Sequence, residues 1–236
     1  MVEDKNPSKG FKKLLSLSYV LKEDSPVHIG LKNLQITPVN QISDGDDYNT
    51  YQIMLENHCG THVDAPAHFL QGGRKISEYQ PDELLFTNPL IFNCFKNPGE
   101  LINVNDILKI RLKNYDCIFI RTGFDKYRKN NLNTFLTLNP GISPGAVDYL
   151  RKNFQNLTCL GIESVSISRY GHKKEAIDTH KTAFIERDDY GKSLLLVEDL
   201  DFQSLNNEEI TEVLVVPWQL DEIDSAPCIV LARTNK

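Results

Sequence analysis

Three of the chain's six histidines fall within eleven residues, in the segment His58-Cys-Gly-Thr-His62-Val-Asp64-Ala-Pro-Ala-His68. Imidazole nitrogens beside a carboxylate form a donor set that borderline divalent ions such as Zn²⁺ or Mn²⁺ accept. His58 and His62 stand at i, i+4 and would share a face of a helix, as the two histidines of zinc-binding HExxH helices do. Gly60, Thr61, Val63 and Pro66 argue against that helix, since none is a good helix former and the proline breaks the run. A strand suits the segment better. At period two, His58, Gly60, His62 and Asp64 point to one face, and Cys59, Thr61 and Val63 to the other. On this reading Gly60 leaves room for an ion and its water to approach the backbone, and Pro66 suits the end of the strand. His68 lies close to the set without being required as a ligand.

These side chains need a frame. Five short runs rich in β-branched and aromatic residues read as strands: Pro89–Phe95, Tyr115–Arg121, Thr158–Ile162, Glu212–Pro217 and Pro227–Ala232. They are apolar on both faces, the pattern of strands covered on both sides. Ser143 followed by Pro144 marks a helix start, and Val147, Leu150 and Phe154 then share one helical face. A second helix is expected near Asn103 or Asn105, carrying Ile107, Leu108 and Ile110. Gly30–Asp47 is polar and turn-rich, hence a loop or irregular strand. The order of elements predicts one strand-dominated α/β domain over 14–236, preceded by a tail over 1–13, and argues against a regular βα barrel.

Composition narrows the function. At 236 residues the chain can bury roughly 70–75% of its unfolded surface, so it needs no disulfide or metal staple to fold. Its net charge of −6, with no basic-aromatic run, offers no nucleic-acid footprint. Its apolar stretches, Val213–Trp218 among them, are too short to span a membrane, and a cytoplasmic protein is expected. The five cysteines are widely spaced with no CxxC, so neither a disulfide framework nor a cysteine zinc site is expected. Cys94, Cys117, Cys159 and Cys228 sit in apolar runs and read as buried thiols.

The run HCGTHVDAPAHF closely resembles the HxGTHxDxPxHF signature of the cyclase-type metal-dependent hydrolases, a family that includes bacterial arylformamidases (kynurenine formamidases) and isatin hydrolases. The resemblance extends along the chain: Arg121-Thr-Gly-Phe124 is similar to the family's RTGW/RTGF turn, Pro140-Gly-Ile-Ser143 to its PGLS helix start, Gly161-Ile-Glu-Ser-Val165 to GIDTxSxD, and Val216-Pro217 with Ser225-Ala-Pro227 to its closing strands. It implies a swivelling β/β/α fold, a strand-rich mixed sheet or barrel-like core with a few packed helices. It implies His58, His62 and Asp64 as ligands of a first ion, His180 and Glu198 as candidates for a second, and His68 as general acid/base. One or two Zn²⁺ or Mn²⁺ ions per subunit, a homodimer or tetramer, and a small-molecule amide, formamide or lactam substrate follow from the same resemblance. A non-hydrolytic cyclase or dehydratase, or a silent binding protein on the same fold, are the alternatives.

Two departures stand out. An insertion around Ile185–Lys192 separates His180 from Glu198 and makes His172 a rival ligand. The tryptophan-bearing segment that helps line the formamidase pocket reads Pro26-Val-His-Ile-Gly30 here, which removes a specific reason to expect N-formylkynurenine as substrate. His28 of that segment reads as a pocket residue or a plain loop residue, and Arg121 as a structural residue at a strand end, with partner to a substrate carboxylate as its alternative. The residues Glu186–Lys192 read as a solvated acidic loop.

Overall fold

The computed structural model describes residues 13–205 and 208–235; the expected tail, apart from Lys13, lies outside the described residues. In chain order the strands are β1 (Leu14–Ser16), β2 (Gln35–Asn40), β3 (Thr50–Met54), β4 (His62–Asp64), β5 (Leu85–Phe86), β6 (Pro89–Asn93), β7 (Leu101–Ile102), β8 (Cys117–Arg121), β9 (Gly141–Ile142), β10 (Cys159–Ile162), β11 (Leu195–Glu198), β12 (Ile210–Pro217) and β13 (Ser225–Thr234). The helices are α1 (Val104–Ile107), α2 (Lys126–Asn130), α3 (Leu132–Thr137), α4 (Pro144–Asn153) and α5 (Lys173–Phe184). All five predicted strands form, within a few residues of their expected ends. None of the described helices is long and apolar enough to cross a membrane.

One mixed sheet organises the molecule. Its order is β5-β12-β13-β4-β11-β10-β8-β6, with β1 also pairing with β13. β6, β8, β10 and β11 run parallel, while β4 is antiparallel to both β11 and β13. β12 comes back against β6, so the sheet curls towards closure.

Side-chain alternation divides the core in two. Cys117, Phe119, Val197 and Val63 face one apolar cluster with Phe86, Phe202, Val213 and Val230. Ile118, Ile120, Leu160, Ile162 and Leu196 face the other, built with Val147, Leu150 and Phe154 from the α4 region and Ala183 and Phe184 of α5. Burial on both faces explains why these strands show no polar alternation. Cys94, Cys117, Cys159 and Cys228 are buried free thiols, as is Cys59.

The Ser143 cap forms as expected, its Oγ accepting from Ala146 N at 3.2 Å. The second predicted helix shrinks to the single turn of α1 after Asn103; Ile107 and Ile110 are buried but Leu108 is 55% exposed. Gly30–Asp47, expected as a loop or irregular strand, holds β2, which pairs with β3 in a separate two-stranded ribbon with a register irregularity between Pro38 and Asn40. Among the residues missed as helical, α5 matters most, because its buried face carries Thr179 and His180 beside Ala183 and Phe184. Polar residues on the buried side mask the apolar periodicity from which helices are read.

Candidate metal centre

β4 is the floor of the site, and its neighbours decide what meets there. The register sets Glu198 of β11 across from His62 and Ser225 of β13 across from Asp64. His180 is delivered by α5. His58 comes from the turn before β4, and His68 from the 3-10 turn Pro66–His68 after it. All six predicted residues therefore line one cavity of about 430 Å³.

The donors converge closely. His58 Nδ1 lies 3.1 Å and His62 Nε2 3.6 Å from Asp64 Oδ1. His62 Nε2 is 3.3 Å from Glu198 Oε2, and His180 Nε2 is 3.7 Å from Glu198 Oε1. Among the described residues two groups of donor atoms gather within 4.8 Å: His58, Asp64 and His68, and His62, Asp64 and Glu198. Asp64 belongs to both.

Hydrogen bonds set the direction in which each ring presents its lone pair. His62 Nδ1 sits 2.8 Å from the Gly60 carbonyl and His180 Nδ1 2.7 Å from the Ala176 carbonyl. A carbonyl only accepts, so each Nδ1 donates its N–H there and each Nε2 is the atom turned towards the carboxylates. His58 Nε2 lies 3.0 Å from Ser225 Oγ, a hydroxyl able to donate or accept. Glu198 Oε1 accepts from Ile167 N at 2.6 Å and Ser166 Oγ at 3.2 Å.

These groups would accommodate a divalent ion. His62 Nε2 and both Asp64 oxygens are buried, and none makes a hydrogen bond. Buried polar atoms without partners cost free energy, and their clustering here needs a physical explanation. A cation facing two imidazole nitrogens and carboxylate oxygens would supply what all of them lack. The electrostatics agree. Burial alone would push the His62 imidazole down, but the Asp64 and Glu198 carboxylates and the Gly60 carbonyl push it up to about 9. Burial would likewise raise the Glu198 carboxyl, yet His180 and His62 hold it well below the usual carboxylate range.

Several expectations change. The segment is not a continuous strand from His58 to Asp64: only His62–Asp64 is extended, and Gly60 sits in the left-handed region at φ +63°. Gly60 leaves no space for an ion either, since a Cβ there would lie 2.2 Å from Leu21 Cδ2. The residue turns the chain so that its carbonyl reaches His62. His172 precedes α5 at the rim of the same cavity and stands in neither donor group. His28 also lines the cavity, its ring centroid 6.0 Å from that of Tyr170. Arg121 ends β8 and does not line the cavity, which leaves its structural reading and not the substrate-partner alternative. Glu163 anchors the turn after β8: its Oε1 accepts from Thr122 N, Thr122 Oγ1 and Phe124 N at 2.8, 2.6 and 2.6 Å. The insertion is the exposed loop expected over Glu186–Asp189 and at Lys192, but Tyr190 is buried, and Arg151, 1% exposed, donates to the Gly191 and Lys192 carbonyls as well as to Thr182 and Ile185.

Two contributions escaped the sequence reading. Asp224 Oδ2 accepts from His68 Nδ1 at 2.7 Å, and Asn57 Nδ2 donates to its other oxygen at 2.9 Å. The only signal is position: an acid immediately before the Ser225-Ala-Pro227 strand. Behind the centre, Asp199 takes the left-handed conformation (φ 53°) next to Glu198. It holds a bidentate pair with Arg128 at 2.8 and 2.7 Å, and its carbonyl accepts from Thr61 Oγ1 at 2.6 Å.

The chain also matches known proteins. The Cyclase family model matches residues 15–169. The chain belongs to that family. It is 27% identical over 151 residues to a kynurenine formamidase of Geobacillus thermodenitrificans, covering 64% of this chain and 69% of the relative. Its fold is similar to that of isatin hydrolase A from Labrenzia aggregata, with a TM-score of 0.78, 18% identity and coverage of 95% and 94% of the two chains. It is similar also to a potential metal-dependent hydrolase with cyclase activity, with a TM-score of 0.75, 21% identity and coverage of 95% and 98%. At these identities the solved structures speak to the fold, which is the mixed α/β sheet with few helices described above.

Proposed function

We propose that this protein is a metal-dependent hydrolase that cleaves a C–N bond of a small molecule, an amide, formamide or lactam. The observation that carries the reading is the buried, unpartnered set of His62 Nε2 and the two Asp64 oxygens at the bottom of an open cavity. His58, His62 and Asp64 would hold one ion; His180 and Glu198, with Asp64 shared, would hold a second. The mixed nitrogen and oxygen donors suit Zn²⁺ or Mn²⁺. Such an ion lowers the pKa of its water to about 7 and polarises a carbonyl. The kynurenine formamidase and the isatin and metal-dependent hydrolases named above support the same class of activity.

His68 is the acid/base in this scheme. Its Nδ1 proton is committed to Asp224, so its Nε2 is free to accept a proton from the attacking water and return it to the leaving nitrogen. The His68 ring lies 4.3 Å, centroid to centroid, from that of His58 and 5.9 Å from that of His180. Phe69 stacks on His180 at 4.3 Å and 18° and gives the wall beside the donors an apolar surface. The reading includes a homo-oligomer. On the β2–β3 ribbon Val39, Tyr51, Ile53 and Met54 are exposed, an apolar surface that a second copy would cover.

Metal analysis of the whole chain, beside His62→Ala and His68→Ala, tests the proposal. The wild type is expected to retain one or two equivalents of zinc or manganese, and His62→Ala to lose them. His68→Ala should keep the metal while kcat on an aryl formamide or lactam falls by about 10²–10⁴. Wild-type protein that takes up neither ion overturns the reading, and loss of metal in His68→Ala would make His68 a ligand. Turnover in ¹⁸O-labelled water, with label in the acyl product, separates hydrolysis from cyclase or dehydratase chemistry.

A further inference from the structure

Above its floor, the cavity changes character. Among the described residues the only acidic ones lining it are Asp64 and Glu198, both in the donor cluster. The wall is apolar and aromatic, with Leu31, Phe69 and Val165, and the rim carries Tyr170, His172 and Lys173. Lys173 gives this rim a positive charge on a chain whose 32 acidic residues outnumber its 26 lysines and arginines. The nearby cations are not equally available. Arg169 also borders the cavity, but it is committed to Glu175 by two bonds of 3.0 and 2.7 Å and to the Gly99 carbonyl. Lys174 is paired with Asp178 at 2.6 Å and does not line the cavity. Lys173 lines it and makes no ion pair among the described residues. Lys173 is also the first residue of α5, whose macrodipole adds positive potential of the same sign at that end.

We propose that the substrate carries an anionic group, such as a carboxylate, remote from the bond that is cleaved, and that Lys173 selects it. The inference rests on the hydrolase reading and deepens it: one aromatic or compact apolar ring lies against Phe69 and Val165, its acyl–nitrogen bond reaches the floor, and its charge meets the rim. A cavity of about 430 Å³ is at the small end of ligand sites and suits a single ring with short substituents. Low-dielectric walls around a one-sign mouth also focus the field that draws such an anion in.

The experiment compares neutral and charged probes on zinc-loaded, full-length protein. Binding of benzamide, 3-carboxybenzamide and 4-carboxybenzamide is measured by calorimetry for the wild type, K173M, K173R and K174M. The wild type is expected to prefer at least one carboxylated probe over benzamide by about fivefold, the scale of a partly exposed ion pair. K173M should abolish that preference, K173R and K174M should keep it, and 0.3 M salt should shrink it. A carboxylate that merely binds the ion would keep its preference in K173M, and that outcome overturns the proposal, as does equal binding of all three probes by the wild type. Turnover of formanilide and its carboxylated analogues is followed separately. No hydrolysis of any of them, with the binding preference intact, counts against the hydrolase reading and leaves the anion selectivity standing.

Discussion

Replacing Asp224 by asparagine isolates what holds His68. In the native pair both carboxylate oxygens accept, one from His68 Nδ1 at 2.7 Å and the other from Asn57 Nδ2 at 2.9 Å. An amide of the same shape presents one oxygen and one NH₂, so in D224N either one of the two donors faces the NH₂, or His68 takes the tautomer whose Nδ1 accepts from it, which puts the proton on Nε2 and removes the lone pair the reaction needs. The His68 and Asp224 side chains are 24% and 31% exposed, which discounts a charge-assisted bond to about 1–2 kcal/mol of stability. Burial lowers the His68 pKa, but the bond to Asp224, then the charges of Asp64, Asp224 and Glu198, raise it above the ordinary value. Asp224 in turn is held below the usual range, chiefly by His68. The sign follows from linkage. A raised histidine contributes stability that is complete below its unfolded pKa of about 6.5 and is lost as pH rises through the folded value. A depressed carboxylate contributes stability present above its unfolded pKa of about 3.9 and lost as pH falls through the folded value. The deficit of D224N, measured by urea denaturation, should therefore be largest near pH 5–6.5 and smaller at pH 9. In the pH profile of kcat/KM the acidic limb should move to lower pH, because a less basic His68 stays neutral further into acid. Loss of a partner that orients a functional histidine should also cost about 10–100-fold in kcat with metal content retained. An unshifted acidic limb together with a pH-independent stability deficit would refute the idea that Asp224 acts through His68.

Three further outcomes follow from the geometry. In metal-free protein His62 titrates at about 9, so zinc must displace its proton below that pH; chelator competition should show apparent affinity rising about tenfold per pH unit up to pH 9 and levelling beyond. Gly60→Ala should lose about 2–3 kcal/mol in chemical denaturation, from a left-handed φ and a clash with Leu21, and adding Leu21→Ala should recover the clash but not the backbone strain. Arg128→Met leaves Asp199 buried and unpaired, with an expected loss of about 3 kcal/mol; adding Asp199→Asn, whose side chain tolerates the left-handed region, should restore part of it.

Residue type and local spacing were enough to place much of this site. His58, His62, Asp64 and His68 are close along the chain, and any compact arrangement of an eleven-residue segment keeps them near one another. The buried strands around Cys117–Arg121 and Cys159–Ile162 were legible because covering on both faces leaves an uninterrupted apolar run, and α4 because a serine cap and a proline mark its start. Tertiary structure decided the rest. Glu198 reaches His62 only because β11 pairs antiparallel with β4 in one register, and a slip of one residue would turn its carboxylate to the opposite face. His180 arrives on a helix whose buried side is partly polar, so no hydrophobic period announced it. Asp224 is 156 residues from His68 and joins it through the strand order β13-β4. The left-handed turn at Gly60 was invisible to a period-two reading, because φ is fixed there by packing against Leu21 and by the reach of a carbonyl to His62. Spacing along a chain sets which donors are neighbours; only strand pairing and helix packing set which distant groups complete them.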